Sequence, residues 1–294
     1  MGYKKILKTM FLFLVSLVSV FVCSNLKISA AYEGKTPVVS YDASVAQDNS
    51  ITIAIYENET DATQYDMYVK GAGDMKDFLD DLPWIDMEAE PVVPIYNITK
   101  VTIEDGVTDI GGGIFAFLNV STIDLPLTLE TIGEYAFAYS KITSIDLPAS
   151  LTTISNAAFV YSDLLSIDIP ANVTMIGDAV FAYSSKLTTI TGMEGLESIS
   201  TRAFRATAIE SINIPSNIKF ISQYAFEYCE KLATVTGMEG VEEIQEGAFS
   251  YTDITNFTLP DSLKSFDPRA CEGCEKLESY IANESSENFA LFIG

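Results

Sequence analysis

Apolar residues recur along most of the chain with a period of 22 or 23 residues. The anchor of each period is a phenylalanine, usually preceded by alanine, and Cys271 takes its place in an eighth copy. Segments this short hold too few apolar residues for a core of their own, so they bury their apolar faces by stacking. The pattern predicts a repeat array over residues 99–294, with about eight repeats and a short C-terminal cap. The seven anchors are Phe115, Phe137, Phe159, Phe181, Phe204, Phe226 and Phe249.

Each repeat contains one segment with the spacing of a β-strand. Three apolar positions follow the anchor after five or six residues, as in Ile142, Ile145 and Leu147. Alternate side chains of a strand share a face, so the repeats should stack these strands into a parallel sheet. Proline commonly ends the strand because it cannot donate to the ladder. The short polar run before the anchor predicts a helical or 3₁₀ turn. Together these features predict a right-handed solenoid with a parallel β-sheet.

Two of the repeats are one residue longer than the others. The extra residue enters in the segments YSSKL and YCEKL, and in both cases TGMEG replaces the usual leucine–proline pair that follows. We expect Gly192 and Gly237 in these segments to relieve crowding where the chain turns without proline.

The residues before the array divide into two parts. Residues 1–30 predict a signal peptide, because basic residues precede an apolar run that is short for a membrane span and small residues follow it. An uncleaved anchor is the alternative. Residues 31–98 lack the period, are β-rich and contain the single tryptophan, Trp84. We interpret them as a small N-terminal cap that shields the apolar edge of the first repeat. The mature chain is therefore expected to be secreted or held at the cell surface.

The composition excludes several functional classes. The chain has 41 acidic and 17 basic residues and a net charge of −24, and signal cleavage would remove four of the lysines. Such a surface repels nucleic acid and anionic lipid, so we expect neither nucleic-acid binding nor membrane insertion after cleavage. The absence of histidine removes Ser–His and Cys–His catalysis and nearly all catalytic zinc sites. We expect no enzyme; a glycosidase with two carboxylates is the alternative.

The repeat consensus resembles a known family. The pattern L-x-x-I-x-I-P-x-x-L-x-x-I-G-x-x-A-F is similar to the BspA-like, treponemal-type leucine-rich repeats of bacterial surface antigens, over about residues 99–277. That resemblance implies a leucine-rich-repeat solenoid in a secreted or surface-displayed interaction protein, and it transfers no particular ligand. The family often has cysteine three residues after the anchor. This place is kept by Cys229 and Cys274 and otherwise held by Ser140, Ser162, Ser184, Thr207 and Thr252.

Two columns of side chains are the candidate ligand-binding residues. The aspartate column, at the penultimate strand position, comprises Asp124, Asp146 and Asp168. Stacking would set these carboxylates about 4.8 Å apart, as a solvated acidic strip or, alternatively, a weak calcium site. We predict no other cofactor and no dedicated metal site.

The second candidate is the tyrosine column, two residues past the anchor. It faces outward as a stripe that anchors a partner, or it packs against the next turn. The sequence leaves both readings open. Its members are Tyr139, Tyr161, Tyr183, Tyr228 and Tyr251, with Phe117 at its start and Ala206 interrupting it.

The cysteines of the array suggest structural roles. Cys229 and Cys274 occupy equivalent positions two repeats apart, or about 10 Å, which is too far for a disulfide. Cys271 and Cys274 could pair within their C-x-x-C segment, but burial as free thiols is the expectation we favour.

These features favour an exported leucine-rich-repeat binding protein that mediates protein–protein or protein–glycan interaction, in adhesion at the cell surface. The expected partner is an extracellular protein or glycan. The alternative is a passive structural spacer or surface-layer scaffold without a dedicated ligand. The sequence does not indicate the oligomeric state.

Overall fold

The computed structural model describes residues 34–47, 50–78, 93–277 and 279–282. The expected signal peptide, Trp84 and the last twelve residues lie outside these ranges. Within them, no helix is long and apolar enough to cross a membrane.

The N-terminal part is a mixed four-stranded sheet that joins the array. Its strands are β1 (Val39–Asp42), β2 (Ile51–Glu57), β3 (Tyr65–Gly71) and β5 (Ile98–Ile103), in the order β1-β2-β3-β5. The first three pair antiparallel, whereas β3 and β5 pair parallel. A 3₁₀ helix (Ile95–Asn97) precedes β5. Because β5 also bridges to Asp124 of the first repeat, the sheet extends the array at its N-terminal edge.

Each repeat contributes two short strands, and successive repeats pair in parallel. The first set forms two-stranded sheets, each from two successive strands of the set. Its strands are β7 (Thr122–Ile123) with β9 (Ser144–Ile145), β11 (Ser166–Ile169) with β13 (Thr189–Gly192), β15 (Ser211–Ile214) with β17 (Thr234–Gly237), and β19 (Asn256–Leu259) with β21 (Ser279–Ala282). The second set begins with β4 (Gly73–Asp74), which precedes the repeats. It continues with β6 (Val107–Ile110), β8 (Thr131–Ile132), β10 (Thr153–Ile154) and β12 (Met175–Ile176), and a further sheet holds β14 (Ser198–Ile199), β16 (Phe220–Ile221), β18 (Glu243–Ile244) and β20 (Ser265–Phe266). Equivalent residues pair in register, so the predicted parallel solenoid is confirmed.

The seven anchor phenylalanines form one continuous column in the core. Each is completely buried, and neighbouring rings stack with centroids 5.1 to 5.5 Å apart. Burial of a phenylalanine stabilises a fold by about 1.5–3 kcal/mol, and here every ring also contacts its equivalents. The column explains why the sequence repeats this residue at such even intervals.

The turn around each anchor is a succession of β-turns rather than a regular helix. The N–H of Ala138 donates to Tyr135 O at 3.0 Å, and the N–H of Ser140 donates to Phe137 O at 3.3 Å. These are the i to i+3 bonds of the expected 3₁₀ turn, but Tyr135 and Tyr139 have φ of 55° and 56°. A 3₁₀ helix needs negative φ throughout. The left-handed residues direct amides of one repeat to carbonyls of the next, as from Phe137 N–H to Ala158 O at 2.7 Å.

The two longer repeats turn at glycine, as the sequence predicted. Gly192 and Gly237 have φ of 82° and 78°, and a Cβ on them would lie 1.9 Å from Ile169 O and 2.1 Å from Ile214 O, respectively. No side chain fits at that distance, so the expected relief of crowding is confirmed.

Candidate functional site

The tyrosine column lies on the turns of the array and is held in an unusual backbone conformation. All its members have positive φ, from 56° for Tyr139 and Tyr161 to 63° for Phe117. Residues other than glycine rarely adopt this region, at a cost of order 1–3 kcal/mol each. The strain is maintained by bonds between repeats, such as that from Tyr139 N–H to Val160 O at 2.8 Å. The chain therefore fixes the direction of each ring.

The rings of this column stack on one another and remain partly exposed. Centroids are 4.9 Å apart for Phe117 and Tyr139, 4.8 Å for Tyr139 and Tyr161, and 4.7 Å for Tyr161 and Tyr183, with ring planes within 7°. Exposure is 38–48% for every member except Tyr183, which is less exposed. The rings thus pack on the neighbouring turns and also face solvent. Each internal ring has a neighbour against both faces, so the surface it presents is mainly its edge with the phenol group.

Arg205 fills the place in the column where Ala206 replaces a tyrosine. Its guanidinium carbon lies 5.5 Å from the ring of Tyr183 and 5.4 Å from that of Tyr228, which is within cation–π distance of both. Arg205 Nε also lies 2.9 Å from Glu227 Oε2, as an ion pair without the alignment of a hydrogen bond. The stack therefore continues through this repeat, with the Arg205 guanidinium between the rings of Tyr183 and Tyr228. Sequence reasoning identified the interruption but missed the adjacent arginine.

A second group on the same turns carries charge. The Arg202 guanidinium lies 5.1 Å from the Tyr224 ring. The hydrogen bond between the Tyr224 hydroxyl and Glu246 raises the pKa of that tyrosine, and Arg269 lies 2.8 Å from Glu246. The corresponding turns of earlier repeats instead bury small apolar side chains, including Ala116, Ala138, Val160 and Ala182. The turn surface thus changes from small apolar residues to paired charges along the array.

The aspartate column is exposed at all three positions: Asp168 lies in β11, whereas Asp124 and Asp146 directly follow β7 and β9. Asp168 accepts a hydrogen bond from Thr191 Oγ1 at 2.6 Å, and Asn213 continues the pattern with Thr236 at 3.2 Å. Across the described ranges, no three His, Cys, Asp or Glu side chains are grouped to hold a metal ion. The weak calcium site stays a prediction.

A buried polar column begins three residues past Phe137 and recurs in every later repeat, whereas Leu118 holds this place after Phe115. Ser184 Oγ donates to Phe159 O at 2.9 Å, and Cys229 Sγ donates to Phe204 O at 3.1 Å. Thr207 Oγ1 lies 3.3 Å from Cys229 Sγ. These hydroxyl and thiol groups satisfy main-chain carbonyls inside the fold, where an unpaired acceptor is costly. Ser184, Thr207 and Thr252 therefore keep this hydrogen-bonding role of the family's cysteine, whereas the buried Ser140 Oγ has no hydrogen-bond partner.

A shallow, open pocket of about 390 Å³ lies beside the pairing of β4 with β6. It is lined by Val45, Gln47, Asp74, Met75, Lys76, Asp77 and Asp109. Burial, reinforced by the charges of Asp74 and Asp77, raises the pKa of Asp109 to about 6. Asp74 accepts from Thr108 Oγ1 at 2.8 Å, and Asp77 accepts from Gly112 N–H at 2.5 Å.

One carboxyl group of raised pKa beside two others is what a glycosidase would require. Here Asp109 lies directly opposite Asp74 on the neighbouring strand, and this position explains the raised pKa without a catalytic role. The sequence did not indicate this group, because Asp109 is distant in sequence from Asp74 and Asp77.

Comparisons with known proteins agree with this architecture. The model of the BspA type leucine rich repeat region matches residues 95–208 and 152–278. A leucine-rich repeat protein from Bacteroides ovatus has a similar structure, with 22% identity, a TM-score of 0.55, and coverage of 83% of this chain and 71% of that chain. One from Eubacterium ventriosum has 22% identity, a TM-score of 0.52, and coverage of 83% and 72%. At this identity the likeness is one of fold. No curated protein matches the sequence.

Proposed function

Because the chain belongs to the BspA-type leucine-rich repeat family, we propose that it is an exported binding protein that uses its tyrosine column to hold an extracellular protein, in adhesion at the cell surface. The observation that carries this proposal is the exposed ring stack, which includes Tyr139, Tyr161 and Tyr251 at 42–45% exposure. Tyrosine combines a large apolar ring with a polar tip and is enriched at protein interfaces.

The stacking geometry favours a protein over a glycan as the partner. A sugar that packs on tyrosine needs an open ring face, and Tyr139 and Tyr161 each have a ring on both sides. Edges and phenol groups remain, and these suit hydrogen bonds and side-chain contacts from a polypeptide. The net charge of −24 favours a partner with a basic surface.

The backbone of the column lowers the cost of binding. The left-handed turns and the bonds between repeats hold the rings in place before a partner arrives. Fewer side chains then lose rotational freedom on association, and that loss otherwise costs about 0.5–1.5 kcal/mol per side chain.

The test is binding of the whole chain, expressed from residue 1, to a panel of extracellular-matrix proteins and glycans, with and without calcium. We expect saturable binding to a protein that is lost in Tyr139→Ala/Tyr161→Ala/Tyr183→Ala. The matched control is Asp124→Asn/Asp146→Asn/Asp168→Asn, which changes three stacked side chains away from the turns, in the first three repeats, and should bind normally. Tyrosine-to-phenylalanine changes at positions 139, 161 and 183 keep the ring stack and remove the hydroxyl groups. They therefore separate the contribution of the hydroxyls to binding from that of the rings.

A passive spacer is the alternative function. It is favoured by the fact that each internal ring already has aromatic neighbours, so the stack stabilises the array whether or not anything binds to it. No binding to any member of the panel would favour the spacer. Binding that survives the triple alanine change in a folded chain would place the interface elsewhere. Binding to glycans alone would overturn the preference for a protein.

A further inference from the structure

The last described turn of the array differs from the others by containing two cysteines. Cys271 takes the anchor position and is 7% exposed, whereas Cys274, in the buried polar column, is partly exposed. Both are thiols rather than a disulfide in this structure. Cys229, the remaining cysteine of the described ranges, is completely buried two repeats earlier.

The turn holds the two sulfurs near one another. Cys274 N–H donates to Cys271 O at 3.2 Å, and Gly273 has φ of 74°, which closes a β-turn across the C-x-x-C segment. Such a turn brings the first and fourth Cα atoms within about 7 Å, and most disulfides lie within that range. The Cys271 thiol also hydrogen-bonds to Cys274. Closing a bond between them therefore needs only a small movement of the side chains.

The surroundings of the partly exposed Cys274 and the buried Cys229 shift the pKa values of the two thiols in opposite directions. The hydrogen bond from Cys271, supported by Thr252, lowers the pKa of Cys274 to about 6. Cys274 Sγ also lies 3.0 Å from Phe249 O, which favours the thiol and acts in the opposite direction. Burial raises the pKa of Cys229 to about 11. Since the thiolate is the reactive form, we expect Cys274 to act as the nucleophile and Cys229 to stay unreactive.

We propose that Cys271 and Cys274 are a redox-active dithiol, which closes to a disulfide by exchange with an external disulfide and so staples the last turn of the array. The Cys274 thiolate attacks one sulfur of the external disulfide, forms a mixed disulfide and releases the first external thiol. Cys271 then loses its proton and attacks Cys274 Sγ, which releases the second external thiol. Two protein thiols are oxidised and one external disulfide is reduced to two thiols.

The position in the array gives this bond a role. In the preceding turn, Phe249 N–H donates to Ala270 O at 2.7 Å and Tyr251 N–H donates to Glu272 O at 2.9 Å, so each turn is tied to the next. After Cys271, the described residues contain no further turn of this kind. Ends of repeat arrays open most readily, and a covalent link would hold this one. The proposal is independent of what the tyrosine column binds.

The experiment uses the whole native chain in glutathione buffers of defined oxidised-to-reduced ratio, followed by alkylation, trypsin and mass spectrometry. Trypsin separates the sites, because residues 270–276 contain both Cys271 and Cys274 and residues 220–231 contain Cys229 alone. In oxidising buffer we expect the first peptide to lose two hydrogens and the second to stay reduced. In reducing buffer, Cys274 should alkylate at pH 7 about three to six times faster than an ordinary thiol, with a rate half-maximal near pH 6.

Two serine variants separate the steps. Cys271→Ser removes the resolving thiol, so Cys274 should accumulate as the mixed disulfide with glutathione. Cys274→Ser leaves Cys271 buried and should stay unmodified. The proposal is overturned if, in the folded wild-type chain, the peptide of residues 270–276 keeps two alkylatable thiols in oxidising buffer. It is also overturned if the disulfide between Cys271 and Cys274 forms only after the chain is unfolded. A stable mixed disulfide in the wild type would equally overturn it, since Cys271 would then not resolve the bond.

Discussion

Removal of the Arg205 side chain is expected to lower the free energy of unfolding of the array more than removal of Arg202, the other arginine that covers a tyrosine ring on the turns. Arg205 lies between the rings of Tyr183 and Tyr228 and is paired with Glu227. The side chains of the pair are only 23% and 11% exposed. Arg205→Ala therefore opens a gap between two rings and leaves a largely buried carboxylate without its cation.

The size of the effect follows from these contacts. Each cation–π contact contributes about 0.5–1 kcal/mol. Truncating one partner of a fully buried ion pair costs about 3–5 kcal/mol, and partial exposure reduces this to about 1–2 kcal/mol. We expect Arg205→Ala to lower the free energy of unfolding by about 2–4 kcal/mol. Adding Glu227→Gln removes the unpaired charge and should recover about 1 kcal/mol.

A second double variant tests the stacking directly. Arg205→Ala/Ala206→Tyr gives the fifth repeat the Phe-Ala-Tyr order of the preceding repeat, so a tyrosine should complete the ring stack where the guanidinium was removed. We expect it to be more stable than Arg205→Ala alone, by about 0.5–1.5 kcal/mol per new ring contact.

Urea unfolding followed by circular dichroism measures the loss, and hydrogen exchange at residues 202–228 shows where it occurs, because repeat arrays can unfold in segments. Arg202→Ala is the matched control, since its guanidinium covers one ring, and we expect a loss of about 0.5–1 kcal/mol. The reasoning is refuted if Arg205→Ala costs no more than Arg202→Ala. It is refuted equally if Glu227→Gln destabilises the Arg205→Ala background further.

Three further changes test other parts of the fold. Asp109→Asn should stabilise the chain at pH 7 by about 1–2 kcal/mol after allowance for solvent screening. The gain should vanish below pH 4, because a pKa raised from 3.8 to about 6 destabilises the fold progressively as pH rises through that window. The control, Asp124→Asn at an exposed position, should show no such gain. A gain that does not depend on pH would contradict the raised pKa of Asp109. Phe159→Ala should cost about 3–5 kcal/mol in urea unfolding, since the ring is fully buried in the anchor column, and a cost under about 1 kcal/mol would count against that column. Gly192→Ala should lower the melting temperature sharply because its Cβ would meet Ile169 O at 1.9 Å, and an unchanged melting temperature would show that the turn can move.

The period of the sequence determined most of the array. Stacking places equivalent residues beside one another at the spacing of neighbouring strands, so one repeat predicts the neighbours of all the others. The buried anchor column and the in-register pairing of repeats follow from this rule. So does the spacing of the tyrosine column, whose rings stack at 4.7–4.9 Å against the expected value of about 4.8 Å.

The period could not decide how the turns are built or where the tyrosine rings point. A polar run of three residues before the anchor is compatible with a 3₁₀ helix, and the choice of left-handed residues comes from the hydrogen bonds between repeats. Those bonds also direct Tyr139 and its equivalents, so the rings both stack and face solvent. The two readings that the sequence left open are therefore compatible.

Only the tertiary structure decided the features that break the repeat. Arg205 enters the tyrosine column because the alanine beside it leaves a gap of the right size between two rings. Asp74 and Asp109 meet at the β4–β6 pairing, although Asp74 precedes the repeats and has no periodic relation to Asp109. Cys271 and Cys274 approach through a turn closed by Gly273. The physical reason is the same in each case: a repeated sequence fixes contacts between equivalent positions, whereas contacts between non-equivalent positions depend on side-chain shape and on distances that only the folded chain sets.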